Sequence, residues 1–61
     1  MWIILDGDLV NLDLVSRIYK LDNNKDHMFG IRLQPRKEEF WYKSSEDRNL
    51  DFERLIKLLV K

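Results

Sequence analysis

Chemistry in this chain would have to come from a short set of side chains. A serine nucleophile could be Ser16, Ser44 or Ser45, and the single histidine, His27, has no sequence tie to any of them. Ser44 and Ser45 stand where a helix begins, so capping of open backbone donors is the simpler account of both. Asp6, Asp8 and Asp13 lie close in sequence, and Asp22, Asn23, Asn24 and Asp26 resemble the start of an oxygen-ligand loop. The glycine and distal glutamate of a calcium loop are missing, so solvated turns explain both groups better. Without cysteine and with one histidine, a zinc site within the chain lacks its preferred ligands. There is no glycine-rich phosphate loop. The expectation is a protein without catalysis, metal or cofactor.

The most informative polar stretch runs from Arg32 to Lys43. It sets Arg32, Arg36, Lys37 and Lys43 against Glu38 and Glu39, with Trp41 and Tyr42 inside it. Arginine combined with stackable rings can hold a nucleotide or single-stranded nucleic acid. The candidate ligand set for that chemistry is Tyr19, Arg32, Arg36, Lys37 and Trp41. The competing account is an ordinary solvated hairpin, favoured by the two glutamates at its centre.

These residues need a scaffold, and 61 residues allow one domain. A chain this short buries only about 60% of the surface that its unfolded form exposes, which makes a lone subunit marginal. Disulfides are excluded by the absence of cysteine, and metal is disfavoured, so oligomerisation is the remaining stabilising device. Eleven basic residues balance eleven acidic ones. Neutrality argues against a general nucleic-acid binder. No apolar run approaches the roughly 20 residues of a membrane span. Trp2 to Leu5 lacks the basic flank of a secretion signal. A cytoplasmic protein is expected.

The final stretch, 44–61, organises the rest. Ser44 with Asp47 three residues later reads as a helix cap. Phe52, Leu55, Ile56 and Leu59 then recur on one helical face. A single amphipathic helix needs a surface to cover, and 1–43 supplies strands. Trp2 to Leu5 and Leu9 to Leu12 flank Asp6-Gly7-Asp8, a strong hairpin signal. A bend or single helical turn at Asp13 to Ser16 is expected to pin its apolar side chains under the sheet, burying Leu12, Leu14 and Val15. Arg17 to Leu21 is a strand, 22–27 a polar loop, and Met28 to Leu33 a strand with Phe29, Ile31 and Leu33 on one side. Gln34 to Lys37 is a turn and Glu38 to Lys43 the last strand. The fold class is α+β: an antiparallel meander of four to five short strands with one C-terminal helix on the sheet.

Leu58 and Val60 widen the helix's apolar arc to roughly 200°, where about 100° serves one core-facing stripe. The sheet shows a similar surplus, because Trp41 must oppose Phe40 and Tyr42. The expectation is a subunit interface at Trp2, Tyr19, Met28, Trp41 and Leu58, rich in the aromatics typical of such surfaces. A homo-oligomer follows, with a dimer favoured. The leading functional expectation is a non-enzymatic protein-interaction module; a nucleotide or nucleic-acid binder comes second.

The segment Leu9-Val10-Asn11-Leu12-Asp13-Leu14-Val15-Ser16-Arg17-Ile18, followed by strands and by a helix opened by Ser45-Glu46, resembles small uncharacterised phage and bacterial proteins. A similar layout occurs in FlbD/SwrD-type flagellar proteins. This chain departs from the flagellar pattern in its Phe40-Trp41-Tyr42 strand and its long polar loop. The resemblance implies a small α+β accessory protein without catalysis, of a phage or other mobile element, and identifies no partner; if phage-borne, the interaction module is expected to inhibit or redirect a host protein. Asn11 and Asp13 are explained by folding alone, so no site is carried over.

Overall fold

A computed structural model describes residues 1–60. It contains strands β1 (Trp2–Leu5), β2 (Asp8–Asn11), β3 (Arg17–Asn23), β4 (Met28–Gln34) and β5 (Glu38–Tyr42), and one helix, α1 (Ser45–Leu59). All strand pairings are antiparallel, and the molecule is α+β. The meander is divided: β1 and β2 form a two-stranded sheet, and β3, β4 and β5 a three-stranded one.

Local chemistry fixes both ends of this arrangement. At the first turn Leu5 pairs with Asp8, leaving Asp6 and Gly7 as a two-residue loop with φ of 48° and 83°. Two consecutive positive φ angles match the twist of the strands they join, and glycine meets that demand without strain. At the other end the Oγ of Ser44 accepts the amides of Glu46 (3.1 Å) and Asp47 (3.4 Å), which satisfies two open donors of α1.

The division comes from residues 12–16. The Leu12 amide donates to the Met1 carbonyl, and the Val15 amide returns to the Leu12 carbonyl. Asn11 Oδ1 accepts the Asp13 amide at 3.0 Å, the local competition typical of this residue. The chain thus turns away from β2 before β3 begins. Leu12 is buried and Val15 packs against the core, but Leu14, at the apex of the turn, stays exposed. The burial expected for Leu14 from the sequence is not met, because the turn that buries Leu12 and seats Val15 points the side chain between them outward.

The loop after β3 starts later than the sequence suggests. β3 continues through Asp22 and Asn23, and Asn23 Oδ1 then accepts the amides of Lys25 (3.1 Å) and Asp26 (3.3 Å). Ile3, Leu5, Val10, Leu12, Ile31, Leu33, Phe40, Tyr42 and Leu55 form one core. It lies between the inner face of the three-stranded sheet, α1 and the inner face of the hairpin. Leu55 is fully buried, worth about 1.5–3 kcal/mol of transfer free energy.

Candidate interaction surface

Strand register sorts the remaining residues onto two outward faces. In the three-stranded sheet Ile18, Phe29, Ile31, Leu33, Phe40 and Tyr42 look inward. Tyr19 pairs with Arg32 and Arg32 with Glu39; in the next row Leu21 pairs with Gly30 and Gly30 with Trp41. These two rows make the outer face, with Met28 at one end and Arg17 at the other. The expected interface residues Tyr19, Met28 and Trp41 therefore share a face. Trp2 sits on the other sheet, and Leu58 on the helix.

This outer face is largely occupied by itself. A Cβ added at Gly30 would lie 2.9 Å from the Trp41 ring, so the indole rests on bare backbone. Arg17 and Arg32 stand over the Tyr19 ring at 4.8 and 5.7 Å. The Arg32 guanidinium donates twice to Glu39 and once to the Tyr19 hydroxyl, the latter at 2.9 Å. Its bond to Glu39, and then that to Tyr19, raise the Arg32 pKa further above its ordinary value. Arg36 and Lys37 lie apart, in the turn between β4 and β5, where Lys37 has a φ of 58°. The ligand set expected from sequence is thus split: Tyr19, Arg32 and Trp41 meet, and Arg32 is already matched by a carboxylate.

The outer face of the hairpin is different. Trp2, Ile4 and Leu9 are 61%, 57% and 66% exposed. Ile4 and Leu9 are cross-strand partners, and Trp2 lies two residues along on the same side, opposite Asn11. No charged side chain stands on this side of the hairpin. Three large contiguous apolar groups in the open are unusual for a small soluble domain and mark interaction sites. Sequence reasoning named Trp2 but missed Ile4 and Leu9. Trp2 to Leu5 is apolar throughout, so alternation inside the run could not be read.

A polar chain fixes the helix beside this hairpin. Tyr42 donates to Asp51 at 2.7 Å, Arg54 donates to the other Asp51 oxygen at 2.8 Å, and Arg54 also donates to the Ile4 carbonyl at 3.2 Å. Burial first, and then the Asp51 carboxylate, push the Tyr42 phenol well above its usual pKa. Leu58, one turn beyond Arg54, shares the side of α1 that meets β1.

Another residue missed from sequence is Arg48, the buried charge of α1. Its Nη1 donates to Asp22 at 2.9 Å and to the carbonyls of Gly30 (3.4 Å) and Leu21 (3.5 Å). Its position four residues before Phe52 placed it on the inward side, a signal available in the sequence. These bonds make it a clamp between helix and sheet. Among the described residues no group of three His, Asp or Glu side chains could hold a metal ion, and no helix is long and apolar enough to cross a membrane. No protein-family model, curated protein or solved structure matches the chain.

Proposed function

We propose that this chain is a non-enzymatic interaction module that self-associates through the outer face of its β1–β2 hairpin. The observation that carries this reading is the exposed apolar trio Trp2, Ile4 and Leu9, with no charge among them. A second copy is the occupant that fits best. The patch is apolar and carries no charge, so the same surface on another copy complements it, as a two-fold interface requires. Equal numbers of acidic and basic residues leave little repulsion between copies. A two-stranded hairpin is marginal on its own, and covering its outer face would stabilise it. Of the expected interface residues, Trp2 belongs to this surface and Leu58 lies one turn beyond Arg54, which holds α1 to β1; Tyr19, Met28 and Trp41 belong to the other sheet's outer face.

Leu9→Glu tests the reading. Sedimentation at micromolar concentration should show twice the mass of one chain for the parent protein and a single chain for the variant, with unchanged circular dichroism. A parent protein that stays a single chain at every concentration would sink it. Action on a cellular protein would use the assembled form. Nucleotide binding through Tyr19, Arg32 and Trp41 is the weaker reading, because Glu39 already holds the central cation.

A further inference from the structure

The edge of the three-stranded sheet farthest from β5 is free: β3 pairs only with β4. Beside that edge runs a groove of about 440 Å³ between the start of β3 and the end of α1. Val15 and Ile18 line it from the strand side, and Phe52, Ile56, Leu59 and Val60 from the helix side. Ile56 and Leu59, expected from sequence to be buried with Leu55, are instead exposed along it. The helix overhangs the sheet here, and none of the described residues fills the space beneath it. Two cations flank the groove. Arg17 lines it directly, and Lys20 stands 5.0 Å above the Phe52 ring. Neither forms an ion pair among the described residues.

We infer that this groove receives an extended acidic peptide of a partner protein, added as a strand along β3. An added strand would satisfy the outward backbone groups of β3, as in other cases of strand addition. Its side chains alternate, so every second one would enter the apolar groove while the others stay at the rim. The apolar walls call for branched aliphatic residues at the inward positions. Arg17, on the outer face of β3, calls for carboxylates at the others, and Lys20, on the inner face over Phe52, for one at the end of the inward row. The chain's own acidic strand β5 cannot serve, because Phe40 and Tyr42 are committed to the core.

The probe is a short blocked peptide alternating valine and glutamate, titrated into the full-length protein and followed by amide chemical shifts and hydrogen exchange. The expected result is saturable binding with shifts and slowed exchange along β3. N-methylation of the peptide on alternate residues, and Ile56→Asp or Arg17→Glu in the protein, should each weaken it about tenfold, equivalent to about 1.4 kcal/mol. Circular dichroism checks that both variants remain folded. Lysine in place of glutamate should weaken binding by a similar factor. Equal affinity of the N-methylated peptide, equal affinity of the lysine peptide, shifts confined to the β1–β2 hairpin, or no saturation would each overturn the proposal. Because the groove lies away from Trp2, Ile4 and Leu9, failure of self-association leaves this result independent.

Discussion

The two sheets have outer faces of opposite character, although both carry a tryptophan. On the three-stranded sheet Trp41 lies on Gly30, and Tyr19 is bracketed by two guanidinium groups. On the hairpin Trp2 projects into solvent beside Ile4 and Leu9, with no glycine beneath it and no cation above. An open sheet face needs no second layer when its rings can lie on backbone and against arginine. A face of plain apolar side chains has no such internal remedy and stays open to solvent. The number of aromatics therefore does not locate an interface; what each ring already touches does.

The largest effect should separate the two tryptophans. Trp41→Ala removes a ring that covers the sheet and should lower the unfolding free energy by about 2 kcal/mol, below the value for a fully buried ring because Trp41 is only partly buried. Trp2→Ala should change the stability of the isolated subunit by no more than about 0.5 kcal/mol while weakening self-association. Urea denaturation at low and high protein concentration measures both. Equal losses at low concentration would erase the contrast between the faces.

A sharper test uses Gly30. Gly30→Ala places a methyl group against the indole, and such overpacking costs about 1–3 kcal/mol. In the Trp41→Ala background the obstacle is gone, and the same change should turn neutral or stabilising by about 0.4–1 kcal/mol through the unfolded chain. A double-mutant cycle reads this change of sign. If the cost persists without the indole, the glycine serves the backbone and not the ring.

How much of this was visible in the residues alone follows the range of each interaction. The Asp6-Gly7 hairpin and the Ser44 cap depend on neighbours within three positions, and both were legible. So was the alternation of Phe29, Ile31 and Leu33 against Met28 and Arg32, which needs only a strand. The rest of the surface depends on register. Gly30 opposite Trp41, and Glu39 opposite Arg32, are pairings across a turn that a one-residue slip would abolish. Burial of Arg48 needs Asp22 and two sheet carbonyls distant in sequence. The exposure of Ile56 and Leu59 depends on where the sheet stops beneath the helix, which a helical wheel does not contain.

The two tyrosines carry the contrast into the interior. Tyr42, inside, donates to Asp51, whereas the Tyr19 hydroxyl accepts from Arg32 on the outer face. The Tyr42 pKa is raised in the folded state, so its stabilising contribution is complete below the unfolded value near pH 10 and is lost as pH climbs past it. Screening near the rim of the core limits the loss to about 1 kcal/mol at pH 11. Tyr42→Phe should flatten this part of the alkaline stability curve. A decline of the same slope in the variant would assign it to other groups.

The smallest effect concerns Arg32 and Glu39, the ion pair at the centre of the outer face. Both side chains are about one-third exposed, so water competes for each charge. The paired geometry is favourable, but partly exposed ion pairs contribute only about 0.2–1 kcal/mol. Glu39→Gln should therefore lower stability by less than any change above, and by less still in high salt, where screening already weakens the parent pair. The variant has a second use, because it frees the Arg32 charge beside Tyr19 and Trp41. If the face can hold a phosphate-bearing ligand at all, Glu39→Gln should bind a nucleotide more tightly than the parent, seen as a change in tryptophan fluorescence. If neither protein responds at low salt, the rings and arginines of this face serve to close it, and the hairpin remains the surface proposed to take a second copy.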